Sequence, residues 1–183
     1  LVAIRLVTFK SDTVHYHANF SLFINGERDE FKNFTFYEEV QSCGSDQVNN
    51  PKARVHMHDF VSHLIHIHEP GVMWSHFFSN LGYNLDDTMV KNDKGLYVDG
   101  QNGKLSFILN GEEVENIANE PIKNGDVLLI NYGNDSADIL KQRYNGIKKD
   151  AGEYNQKNDP SSCAGSKELT FTERLKQAVG ISH

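Results

Sequence analysis

The sequence predicts a mainly β, α+β protein: antiparallel sheets with a histidine-rich face, one short amphipathic helix mid-chain, and helices near the C-terminus. Three observations carry this expectation. Residues 13–25 alternate apolar and polar side chains, Asn25-Gly26 and Asn110-Gly111 are hairpin turn signals, and one helical stripe (Trp74, Phe77, Phe78, Leu81) interrupts the β pattern. At 183 residues and 38% hydrophobic, the chain can bury an ordinary core and does not have the composition of a disordered segment.

Taken in order, Leu1–Phe9 is apolar apart from Arg5 and Lys10 follows it, too short a run to cross a bilayer. It reads as a first strand, or as the trailing end of a removed signal or of a membrane anchor upstream of residue 1. A strand at a free terminus can also add to a neighbour's sheet, a route to self-association. From Val14, the residues Tyr16, Ala18, Phe20, Leu22 and Ile24 share one face of a long half-buried strand, and His15, His17, Asn19 and Ser21 share the other. Residues 41–54 read as a loop. The alternating runs Arg54–His58 and Leu64–His68 read as an antiparallel hairpin with its turn at Asp59–His63. The helical stripe follows, with Gly82 as its C-terminal cap. From Gly95 to Gly133 the alternation of Leu105, Phe107 and Leu109 and the buried run Asp126–Tyr132 look like the end of a β-grasp unit. Ser136–Tyr144 is helix-compatible, Asn145–Lys167 is polar and irregular, and Thr170–Glu173 fits a capping box opening a terminal helix. This divides the chain into a His-rich β region (1–94), a β-grasp-like unit packed on it (95–134) and a tail (135–183), together one compact domain.

Six of the nine histidines fall in three copies of one spacing: His15-Tyr16-His17, His56-Met57-His58 and His66-Ile67-His68. On a strand each pair aims two imidazoles to the same side, which is how a β protein assembles nitrogen ligands for a cation. In the hairpin, one register opposes His58 to His66 and His56 to His68, and two-residue shifts keep the same face. The expected metal ligands are therefore His15, His17, His56, His58, His66 and His68. Asp59 and Glu69 follow two of the pairs and could ligate or orient an imidazole. His63, beside the turn, and His76, on the polar side of the helix, are further candidates. Imidazole-rich sites with few acids suit copper or zinc and disfavour magnesium and calcium.

Cys43 and Cys163, both in polar surroundings, are expected to form a disulfide, which implies an extracytoplasmic location; the alternative is that one cysteine joins the metal as thiolate. Sequons at Asn19, Asn33 and Asn134 are compatible with that location. A net charge of −7 without a basic cluster argues against nucleic acid as a partner.

The order His15-x-His17-Ala18-x-Phe20, Phe23-Ile24-Asn25-Gly26, His56-x-His58-Asp59, Ile65-His66-Ile67-His68 and a Trp/Phe-rich helix ending Leu81-Gly82 resembles a family of secreted or membrane-anchored bacterial and archaeal proteins, over about Val14 to Tyr132. That family carries no established activity, so the resemblance implies location and the shared histidine pattern and no reaction. Copper-zinc superoxide dismutases share only the His-x-His spacing, and no Glu stands at the offset a cupin needs. Three functions stay open: an extracytoplasmic copper or zinc protein for storage, buffering or delivery; a copper or zinc enzyme with an open histidine site and Asp59 or Glu69 as base; and a cell-surface or filament protein stapled by metal. Neutral imidazole is the ligand, so metal release is expected as pH falls through about 6 to 5.

Overall fold

The computed structural model describes residues 14–38 and 50–157. The strand expected at Leu1–Phe9 with its self-association, most of the 41–54 loop, the Cys43–Cys163 disulfide and the helix from Thr170 lie outside the described residues.

The fold is α+β and mainly β. Strand β1 (Tyr16–Ile24) turns at Asn25 and Gly26, with φ of 50° and 89°, the left-handed pair a two-residue hairpin requires, into the two-residue β2 (Glu27–Arg28). After a 3-10 helix at Phe34–Phe36, α1 (Pro51–Arg54) stands where loop was expected. Asn50 caps it by accepting from the Lys52 N–H, and Pro51 presets the first helical φ. Then come β3 (Val55–His56), β4 (Leu64–Ile67) and α2 (Trp74–Asn80), closed by Gly82 at φ 77°. A separate antiparallel sheet of β5 (Asn84–Asp86), β6 (Met89–Lys91) and β7 (Leu96–Val98) was not expected, because three-residue strands are too short for alternation to register. β8 (Lys104–Leu109), β9 (Glu112–Val114), β10 (Val127–Gly133), α3 (Ala137–Asn145) and α4 (Ala151–Tyr154) complete the described chain.

The main sheet runs β3-β4-β1-β10-β8-β9, with β2 also on β1. At its centre β1 and β10 are parallel, from Asn19 opposite Val127 to Ile24 opposite Tyr132, where antiparallel pairing was expected throughout. The reason is the long connection between them, which crosses over by way of α2 and brings the last strand in alongside the first in the same direction. Strands β8 to β10 thus share one sheet with the histidine strands β1, β3 and β4.

One face of this sheet makes the core. Phe20 contacts Phe31, Phe77 and Phe78 at ring separations of 5.4, 5.0 and 5.8 Å, so α2 buries its aromatic stripe against β1. The other face is covered as well. Val127, Leu129 and Ile147 form a second apolar cluster with Phe23 and Tyr144 packed on it. Arg143 of α3 binds Asp135 through two hydrogen bonds of 2.7 and 2.9 Å and lays its guanidinium 4.5 Å over the Phe23 ring. β1 is consequently buried on both sides rather than half-buried, and Asn19 and Ser21 are enclosed. An enclosed Asn19 cannot serve as a glycosylation acceptor in the folded protein, which removes one of the three sequons.

Candidate metal centre

Strand register brings the three His-x-His segments together. His66 pairs with His17 on one side and with His56 on the other, placing three imidazoles in a row across β1, β4 and β3. This register differs from the expected one, which opposed His58 to His66 and His56 to His68. Two tight turns cause the shift: Val61 N–H donates to the His58 carbonyl and Leu64 N–H to that of Val61, with Asp59 and Phe60 both left-handed at φ 55° and 56°. His58 therefore leaves β3 and folds back, while the displacement of two residues preserves the face. All six rings belong to one cluster. Ring separations run from 3.6 Å between His58 and His66, through 4.3 Å for His17 and His66 and 4.8 Å for His15 and His68, to 5.1 Å for His56 and His68. His17, His56, His58 and His66 are buried, and His15 and His68 form the partly exposed side.

Hydrogen bonds at the far nitrogens settle which ring atoms face inward. His58 Nδ1 lies 2.8 Å from the Asp59 carboxylate and His56 Nδ1 lies 2.7 Å from the Lys52 carbonyl, both acceptors only, so each Nδ1 carries the proton and each Nε2 keeps its lone pair. His17 Nδ1 lies 2.7 Å from Asn155 Oδ1, with the same result. The His17 and His58 Nε2 atoms are each 2.9 Å from His66 Nδ1. Both being acceptors, the metal-free cluster holds its one shared proton on His66 Nδ1. Two nitrogens about 2.05 Å from one ion are about 2.9 Å apart at a right angle and about 3.3 Å apart in a tetrahedron. His17 Nε2 and His66 Nδ1, like His58 Nε2 and His66 Nδ1, thus already stand at the spacing of two ligands on one ion. The ligand atoms of His15, His17 and His66 also lie within 4.8 Å of one another. His68 adds a further signal: both its ring nitrogens are buried without a hydrogen-bond partner, a costly state that a bound cation relieves.

Electrostatics hold His56, His66 and His68 neutral. Burial, chiefly, and then the neighbouring imidazoles lower His68 to about 3 and move His66 far below the usual histidine range. Burial likewise lowers His56 to about 4, against the pull of the Lys52 carbonyl, with His58 adding to the depression. At neutral pH these groups are already in the form that ligates metal, and the ordinary histidine pKa no longer marks where protons begin to compete.

The other candidates go elsewhere. Asp59 orients His58 through the contact above. Glu69 instead pairs with Arg54 at 2.6 Å on the surface. His76 is exposed on α2, where Met73 N–H donates to its Nδ1 at 3.4 Å. His63 faces Asp150, donating from Nε2 at 3.1 and 3.2 Å, rather than standing solvated by its turn. Asp150 is buried, and also accepts from Asn19 Nδ2 at 2.9 Å and from Lys148 Nζ at 2.6 Å. Burial alone would push its carboxyl up, but the hydrogen bonds from Lys148, His63 and Asn19 outweigh that and hold it at about 2. This knot fastens the tail to the sheet, with Asn19 Oδ1 accepting the Ala151 N–H at 3.0 Å. Because the folded pKa is depressed, Asp150 stabilises the fold above its ordinary 3.8 and loses that contribution as pH falls toward 2, an effect of about 2 kcal/mol. Asp150→Ala is expected to lower the urea midpoint at pH 7, and the gap from wild type should narrow between pH 4 and 2; a gap constant over that range would refute the assignment.

Comparison of the chain with known protein families, curated proteins and solved structures finds no match. Among the described residues no helix is long and apolar enough to cross a membrane.

Proposed function

We propose that this protein binds a transition-metal ion, copper or zinc, in the imidazole cluster of β1, β3 and β4, and serves to store, buffer or deliver it outside the cytoplasm. The observation that carries the reading is the grouping of His15, His17 and His66, whose ligand atoms lie within 4.8 Å of one another, with His17 Nε2 2.9 Å from His66 Nδ1 and its lone pair fixed by Asn155 behind the ring. An all-nitrogen set suits copper(II) or zinc(II), with copper(II) favoured by intrinsic affinity. His15 and His68 are the partly exposed rings of the cluster, the side from which an ion would enter. The location rests on the two cysteines of the sequence, and thiol titration before and after reduction tests it.

The direct experiment is metal analysis by mass spectrometry after exhaustive dialysis, remetallation with copper(II) or zinc(II) and removal of excess. At least one ion per chain is expected, and a value well below one discards the proposal. Burial of the ligands on three strands also favours metal as a structural staple. Delivery to an acceptor chelator within minutes supports the transport role, whereas release only on unfolding supports the staple.

A further inference from the structure

His17 sits where β1 runs beyond its parallel partner. The β1–β10 ladder begins at Asn19 and Val127, so the His17 backbone finds no strand on that side. Two substitutes fill the place. Gly125 N–H, in the loop before β10, donates to the His17 carbonyl at 2.8 Å, and the His17 N–H donates to Asn155 Oδ1 at 3.0 Å. The same Oδ1 is the atom facing His17 Nδ1 at 2.7 Å. The amide cannot be turned around: a backbone N–H only donates, so the atom facing it is the oxygen, and Asn155 Nδ2 is occupied by donating to Asn124 Oδ1 at 2.7 Å. Asn155 therefore fixes both the backbone position of His17 and the tautomer that leaves Nε2 as a ligand. It comes from the segment just after α4, more than a hundred residues away, which the Asp150 knot anchors and in which the Tyr154 ring lies 5.9 Å from that of His17.

We infer that Asn155 is a positioning residue of the metal centre, and that through it metal binding and docking of residues 150–155 on the sheet are coupled. The inference rests on the metal-binding reading above. A tail held in place presents His17 Nε2 to the ion, and an ion on Nε2 makes Nδ1–H a stronger donor to Asn155, so each event favours the other, as linkage requires. An outer partner of this kind is worth about ten- to a hundredfold in metal affinity.

The test compares wild type, Asn155→Leu and Asn155→Asp in competition titrations with zinc(II) and copper(II), together with copper(II) electron paramagnetic resonance. Leucine keeps the branched heavy-atom shape and removes the acceptor, and aspartate keeps it. Asn155→Leu is expected to bind about ten- to a hundredfold more weakly with an altered copper spectrum, and Asn155→Asp, whose carboxylate keeps the acceptor for His17, to bind at least as tightly as wild type. Hydrogen exchange of residues 150–157 should slow on adding zinc(II) to wild type and stay unchanged in Asn155→Leu. Should wild type bind metal while Asn155→Leu matches it in affinity and spectrum, or Asn155→Asp fail to rescue, the inference is wrong and the metal site stands. Should wild type itself take up no metal, the functional reading fails first.

Discussion

His66→Ala is expected to abolish metal loading, while His76→Ala leaves it untouched. His66 is the central ring of the row across β1, β4 and β3, and its Nδ1 is the atom on which His17 and His58 both converge. Loss of a direct ligand costs more than the ten- to hundredfold of an outer partner, so stoichiometry at micromolar metal should fall below one. His76 belongs to α2, is exposed, and touches none of the cluster rings by the contacts above, making it a matched histidine control. Thermal melts read the same difference independently. A ligand at a hundred times its Kd stabilises by about 2.7 kcal/mol, which for a chain of this size is a rise in Tm of about 5–10 °C. Wild type and His76→Ala should show that rise with zinc(II), and metal-free His66→Ala should melt cooperatively yet show none. A rise of equal size in folded His66→Ala would remove His66 from the site.

Much of the cluster was legible in the sequence because strand periodicity is a local rule. His-x-His on an extended segment commits two imidazoles to one face whatever the neighbours do, and a two-residue change in register does not undo it. The register itself was not legible, since the double turn between His58 and Leu64 rests on two non-glycine left-handed residues, Asp59 and Phe60, that carry no Asn-Gly signature. The parallel pairing of β1 with β10 also lay beyond local pattern: an apolar run such as Val127–Tyr132 reads the same in either direction. Least legible were the partners that orient the rings. Asp59 adjoins His58 in sequence and was foreseen, but the Lys52 carbonyl belongs to a helical turn read as loop, and Asn155 reaches His17 only through the tertiary fold. Asn19 carries a clue to the tail: it shares the parity of His15 and His17, and in a buried row an amide needs partners, here Asp150 and the Ala151 N–H.

The metal-free protein should be acid-labile well above the range in which its carboxylates titrate. In the unfolded chain each histidine takes a proton near 6.5, whereas in the folded metal-free cluster His56 does so only at about 4 and His68 at about 3. The unfolded state therefore binds more protons between those limits. The contribution of these groups is fully present above pH 6.5 and is lost as pH falls through the folded values. For buried His56 alone the loss amounts to about 3 kcal/mol, a large share of the 5–15 kcal/mol that holds a typical domain together. The Tm of the metal-free protein should be level above pH 7 and fall steeply from 6.5 to 4. His56→Gln, which cannot titrate, should fall less steeply. Zinc(II) at saturating concentration should extend the level region to lower pH, because an occupied nitrogen cannot be protonated until the ion leaves. A metal-free Tm unchanged between pH 7 and 5 would mean that the imidazoles are solvated in solution, and with that the buried, neutral, metal-ready cluster would be lost.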